Sequence, residues 1–513
     1  MRKHLVIAGL TLVGFNAYAQ QSAALKSSTA SKYAAGITAE QLKKQLYIVA
    51  GPAMEGRETG TEGQRKAAAY IQSQFVKAGL KPGADGKWEQ YFYLTQDTLT
   101  TSKILVGDRE FAYAKDYYTS LKGSRSAHLT EQEVVYAGYG ITADNYDDYN
   151  GLDVKGKVVV VREGEPQRAG AYFLSGSNKA GKYGTTDFKH ELAAKKGASA
   201  LLIVNSQVSR MGMMAGDRLR RSGVYVKGDV DMSAFPTVFY ITPELGAAIT
   251  GQATWNAEAL KVGGYATKLA IHFDKGAKES QASNVLAYLE GTDKKDEVVF
   301  VTAHYDHLGT HDGKIFHGAD DDGSGTVSVI ELATAFAKAK REGKGPRRSM
   351  VFMTVSGEEK GLLGSKFYTE HPIYPLAQTV ADLNIDMIGR VDPDHAKDEN
   401  YIYIIGDNKL SSALRPISEA ANDTYTKLAL DYKYNDPDDP NRFYYRSDHY
   451  MFAQHGIPII FYFNGTHADY HRPTDTVEKI QYDLMAKRAQ LVFYTAWDIV
   501  NRDERLPVDR HEQ

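Results

Sequence analysis

Read as hydrophobic and polar positions, the chain changes character twice. From Asn284 onward, short β-branched and aromatic runs alternate with stretches of helical periodicity, the pattern of a sheet covered by helices. Strands are predicted at 284–290, 297–303, 349–355, 380–386, 401–405 and 457–462, and helices at about 324–340, 361–370, 410–425, 447–455 and 481–502. Val298, Val299, Phe300, Val301 and Thr302 leave no polar face, which suits a strand buried on both sides in a mostly parallel sheet. Val329, Leu332, Ala333 and Phe336 give the first of these helices an apolar stripe.

Two helices come earlier. Thr38 and Gln41 form a capping box ahead of a helix at 39–49, and Ala68, Ile71, Phe75 and Ala78 line a second, at 64–78, that Gly79 ends. Between them Gly56-Arg57-Glu58-Thr59-Gly60-Thr61 reads as a glycine-punctuated turn. The pair has no sheet of its own and is expected to pack on the later one. Between 98 and 275 the pattern differs: strand-like runs at 133–137, 158–162, 200–204 and 237–241 alternate with turns around one helix at 188–196. This region reads as a β-rich inserted domain with a core at about 130–260, and it holds no His, Asp and Glu grouping with ligand spacing. Its Met211, Met213 and Met214 serve either adaptable packing or a contact surface. The α/β domain is thus expected from 38–97 and 276–503, with 504–513 as a tail.

At the start, Arg2, Lys3 and His4 precede an apolar run over 5–15, and Ala17-Tyr18-Ala19 has the small-x-small pattern of a cleavage site, so 1–19 is expected to be a signal peptide. Residues 20–37 are Ser-, Ala- and Lys-rich and are expected to be a flexible leader. No later apolar run approaches 18 residues, so the expectation is an exported protein, periplasmic or extracellular, without membrane insertion. Hydrophobic residues make up 42% of 513, ample for real cores and too many for a disordered chain. There is no cysteine, which excludes disulfides and cysteine-linked lipid. The formal charge is −3, more acidic by two once Arg2 and Lys3 are removed, and gives no electrostatic case for nucleic acid or an anionic membrane as partner.

The predicted strands end in ligand-type residues. After 297–303 come His304 and Asp306, then Asp320-Asp321-Asp322 at a loop-to-helix junction; after 349–355 come Glu358 and Glu359; after 380–385 comes Asp386; beyond 457–462 stand Tyr470 and His471. Strand ends in such sheets face the crevice where ligands bind. Adjacent carboxylates repel one another, and a divalent cation is the simplest way to hold them together. Two His with several carboxylates and no thiolate suit two Zn²⁺ ions, with Mn²⁺ or Co²⁺ as substitutes. Paired ions about 3.5–4 Å apart activate water and polarise a carbonyl, one carboxylate must bridge them, and another must stay free as general base. The central aspartate of the triplet suits the bridge, and adjacent Glu358 and Glu359 offer one carboxylate for each remaining task.

With these motifs in this order, the chain resembles the co-catalytic zinc aminopeptidase family, whose relatives include bacterial leucyl aminopeptidases, glutamate carboxypeptidase and the catalytically inactive transferrin receptor. The resemblance covers 38–95 and 284–500. It implies a mixed, mostly parallel α/β sheet flanked by helices. It also implies that His304 binds one zinc and is oriented by Asp306, Asp321 bridges, Glu359 and Asp386 each take one ion, His471 binds the second, and Glu358 is the general base. Tyr470 resembles the tyrosine that steadies the oxyanion in some members. The insert resembles a protease-associated domain through Val134-Val135-Tyr136-Ala137-Gly138-Tyr139-Gly140, Gly156-Lys157-Val158-Val159-Val160 and Ala193-Ala194-Lys195-Lys196-Gly197-Ala198. The implied activity is removal of N-terminal residues from peptide substrates. Asp320 and Asp322 are left as supporting residues, Ser447-Asp448 as a helix cap, Asp475 as support or cap, and His307, His311, His317, His449 and His467 as hydrogen-bonding or pocket-lining side chains.

Rival readings share parts of this inventory. A carboxypeptidase or dipeptidase of the same family would need a basic group for the substrate carboxylate, for which Arg390, Arg442 and Arg446 are available. A glutaminyl cyclase would use one zinc, and a non-catalytic binding protein would leave Glu358 without a purpose.

Overall fold

The computed structural model describes residues 27–143, 145–168, 170–229 and 235–511, so the expected signal peptide lies outside the described residues. The chain forms two units, one from residues up to Tyr93 together with Ser280 onward, the other from Leu94–Glu279. It passes between them within the strands Glu89–Val106 and Gly263–Leu289.

In the first unit four neighbouring strands run parallel, in the order Ile459–Phe463, Thr379–Ile385, Lys294–His304 and Arg348–Val355. Residues 285–289 flank the last of them antiparallel, and Tyr401–Ile405 flanks the first antiparallel. Every residue of Arg348–Val355, Thr379–Ile385 and Ile459–Phe463 is buried, as expected where helices cover both faces. The helices Gly325–Arg341 and Tyr482–Asn501 pack on one face with Ala39–Val49 and Glu62–Ala78, sharing a core that includes Leu46, Ile71, Phe75, Phe336 and Phe493. The two early helices thus reach the later sheet through its helical layer. Thr38 accepts from the amide of Gln41, and Gly79, at φ 81°, ends the second helix. The expected helix at 410–425 is regular only over Leu414–Ala421 and then widens through Asn422–Thr426.

The leader requires correction. From Ser27 on it is not flexible: Ser27 caps the helix Ser28–Ala34, whose Ala30, Tyr33 and Ala34 are buried with Ile37 against Gly325–Arg341 and Tyr482–Asn501. Tyr33 stacks on Trp497 at 5.9 Å and donates to Glu342. The tail also packs: Leu506 is buried, and Ser412 donates to Asp509.

The second unit is built on a further run of paired strands. Residues 263–273 pair antiparallel with Ala127–Tyr136, which continues in parallel order through Val158–Arg162, Ala200–Val204 and Thr237–Ile241, with Tyr117–Tyr118 antiparallel at the edge. The helix Thr186–Lys195 starts at Thr185, whose side chain accepts from the amide of Phe188.

Candidate metal centre

Because the four central strands of the first unit are parallel, their C-terminal ends share one edge, and the chain's acidic and imidazole groups converge there. His304 ends its strand fully buried. Its Nε2 stands 3.3 Å from Asp321 Oδ1, 3.6 Å from Asp386 Oδ1 and 3.9 Å from Glu358 Oε2. Its Nδ1 faces the backbone oxygen of Asp306 at 3.1 Å, while the Asp306 carboxylate lies 3.7 Å away. A second group shares Asp321 through its other oxygen: His471 Nε2 is 3.0 Å from Asp321 Oδ2 and 3.1 Å from Glu359 Oε2. His307 enters the same group, with Nδ1 2.8 Å from Glu359 Oε1 and 3.8 Å from Asp321 Oδ2. Asp321 therefore turns one oxygen to each cluster.

Charge is badly matched in this arrangement. Burial, reinforced by Glu359, Asp386 and Asp448, raises Glu358 well above the usual carboxylate range despite His304. Burial opposes ionisation of Asp321, yet the facing imidazoles of His304, His471 and His307 hold it well below that range. Burial likewise disfavours a charged His471, but Asp321 and Glu359 outweigh it and push it up to about 10.

The donor set fits divalent metal. His304 Nε2, Asp321 Oδ2 and Glu359 Oε1 are buried without a hydrogen-bond partner, although each faces other polar atoms of the cluster. Two donors at about 2.0–2.2 Å from one tetrahedral ion stand roughly 3.3–3.6 Å apart. The spacings of His304 to Asp321 and Asp386 match this, and those of His471 to Asp321 and Glu359 are slightly shorter.

A cavity of about 30 Å³ opens on Asp321, Glu358 and Asp386 and is walled by Phe443, Phe461 and Phe463, with Arg446 and Tyr470 beside them. Arg446 donates to the Tyr470 hydroxyl at 3.4 Å. Burial, then the neighbouring carboxylates, keeps Tyr470 protonated well beyond its ordinary range, so its hydroxyl remains a donor.

Residues 284–496 match the model of peptidase family M28, and 130–242 match the PA domain. Residues 284–496 thus carry an M28 peptidase domain and residues 130–242 a PA domain. A probable leucine aminopeptidase of Arthroderma otae is 31% identical over 212 residues, covering 40% of this chain and 55% of its own. The chain thus spans little more than half of that relative. Aminopeptidase YwaD of Bacillus subtilis is 23% identical over 469 residues, covering 90% of this chain and 84% of its own. The solved aminopeptidase from Aneurinibacillus sp. strain AM-1 shares the fold, with a TM-score of 0.53 and 20% identity across 94% of this chain and 100% of that one.

Around the M28 cluster stand residues that sequence reading passed over. Arg57, wholly buried in the expected turn, donates to the backbone oxygens of Val49, Tyr305, His317 and Gly318 and so pins the loop after His304. Thr59 donates to Asp306 Oδ2 at 2.6 Å, and the amide of Glu358 donates to Asp306 Oδ1 at 3.2 Å, so Asp306 ties three segments together. The turn's glycines were the only signal for this pair. Asp475 accepts from the amides of Asp320 and Asp321; Asp322 accepts from Gly325 and Met387. Ser447-Asp448 does not cap its helix. Ser447 donates to Asp386 Oδ2 at 2.6 Å, and Asp448 accepts from Ser365 at 2.5 Å. Of the three arginines, Arg390 pairs with Asp469, Arg442 lies over Tyr445, and Arg446 alone borders the cavity over Asp321, Glu358 and Asp386.

Proposed function

We propose that this protein is an exported metallo-aminopeptidase that removes N-terminal residues from peptides at a dinuclear zinc site. The observation that carries the reading is Asp321, whose two oxygens face two separate groups of ligand-type residues. On this reading His304 and Asp386 hold one ion, Glu359 and His471 the other, and Asp321 bridges. His307 holds Glu359 in place. Zinc bound there would supply Lewis acidity toward water and the scissile carbonyl.

The chain's own residues do the rest. Glu358, left off the ions and raised above the usual carboxylate range by burial, takes a proton from the attacking water and delivers it to the leaving nitrogen. Tyr470 donates to the carbonyl oxygen as it gains charge. A free α-amine entering a cavity edged by Asp321, Glu358 and Asp386 meets carboxylates, which favours an N-terminus over a C-terminus. The two relatives described above are named aminopeptidases. Export rests on the sequence pattern of 1–19; among the described residues no helix is long and apolar enough to cross a membrane.

One observation favours a second reading: Arg446 at the cavity could receive a substrate carboxylate, as a dipeptidase or carboxypeptidase requires. A mixed-sequence peptide, with free or acetylated N-terminus, followed by mass spectrometry decides between them. Stepwise N-terminal loss, blocked by acetylation and by a chelator, is expected. Loss from the C-terminus would transfer the case to Arg446.

A further inference from the structure

A line of five buried side chains runs from the metal cluster into the sheet. Ser447 Oγ lies 2.6 Å from Asp386 Oδ2, Asn384 Nδ2 lies 2.9 Å from Ser447 Oγ, and Thr302 Oγ1 lies 2.9 Å from Asn384 Oδ1 and 2.8 Å from Asp382 Oδ1. Protons can be counted along it. An Asp386 carboxylate that binds metal accepts, so Ser447 donates its only proton. The Ser447 oxygen is then free to accept from the amide NH₂ of Asn384. The Asn384 carbonyl consequently faces Thr302 and takes that residue's only proton. The contact between Thr302 and Asp382 is left without a proton unless Asp382 brings one.

We infer that Asp382 is a protonated carboxylic acid, and that its proton sets the direction of the chain so that Ser447 donates to Asp386. An ionised Asp382 would draw the Thr302 proton to itself. Asn384 would turn to donate to Thr302, Ser447 would donate to Asn384, and Asp386 Oδ2 would lose its donor. Asp382 is thus a positioning residue for the metal cluster from the far end of four hydrogen bonds.

The surroundings favour the neutral acid. Asp382 is fully buried, its Oδ2 has no partner, and no ion pair reaches it among the described residues. Burial raises it well above the carboxylate range, the Thr302 contact offsets part of this, and Asp448 is the charged group that adds to it. The inference rests on Asp386 as a metal ligand, and the test separates the two claims.

At neutral pH the infrared difference spectrum between wild type and Asp382→Asn should contain a carboxylic-acid carbonyl band that shifts in deuterated water. Asp382→Asn, whose amide still donates to Thr302, should release metal to a chelator at the wild-type rate. Thr302→Val should release it about tenfold faster, and Thr302→Ser should restore the wild-type rate. Absence of the acid band would overturn the protonated Asp382, and a folded Thr302→Val that keeps its metal as wild type does would overturn the coupling. Absence of metal from purified wild type would count against the metal reading alone, with the proton still judged by the band.

Discussion

On the proposed reading Glu358 and Glu359, neighbours in sequence, have opposite tasks, and single substitutions separate them. Glu358→Gln should keep the metal content and lower kcat by about 10²–10⁴, whereas Glu359→Gln should lower metal affinity as well; elemental analysis beside steady-state kinetics checks both. Arg57 tests the frame around them. Arg57→Met removes the donors to four backbone oxygens, among them the buried oxygens of Val49 and Tyr305, and should lower unfolding free energy by about 3 kcal/mol, measured by urea denaturation. Much of the cluster was legible because strand ends announce themselves by residue type: His304, Asp321, Glu359, Asp386 and His471 come together in space as their order suggested. Arg57, Thr59 and Ser447 were not legible, since a buried arginine or serine acting on backbone and carboxylate oxygens looks in sequence like any turn or cap.

At the scale of elements, buried strands and long amphipathic helices appeared close to their expected bounds, because all-apolar runs and 3.6-residue stripes reflect burial directly. The helix Ser28–Ala34 was missed although Ala30, Tyr33, Ala34 and Ile37 carry a helical stripe. Its small residues bury little area, and the Ser- and Lys-rich composition concealed the period. Tyr33→Ala should remove the stacking on Trp497 and the bond to Glu342, lowering unfolding free energy by about 3 kcal/mol in thermal or urea melts. A truly flexible leader would leave the transition unmoved.

For the whole molecule, one buried lysine of the second unit sets a pH dependence of stability. In the second unit Lys189 is buried, giving its ammonium protons to the backbone oxygens of Tyr139, Arg162 and Gly164. Burial lowers it to about 8, and Asp148, Glu163 and Glu165 offset this only in part. Its folded value lies below the unfolded 10.5, so the cost of charging it is fully present below pH 8 and is relieved as pH rises toward 10.5. Wild-type stability should therefore gain about 3 kcal/mol over that window relative to Lys189→Met, as read by urea unfolding of both proteins at a series of pH values. Parallel pH curves would contradict the assignment.

On the proposed reading, two ions bridged by Asp321 carry out hydrolysis from the N-terminus. The most direct measurement is a titration of metal-free protein with Zn²⁺, following bound metal and release of the first residue from an unblocked peptide together. Activity should plateau at two ions per chain, and Asp321→Asn should lose both binding and turnover. Full activity in the presence of chelator, or saturation at a single ion with Asp321→Asn unaffected, would contradict it.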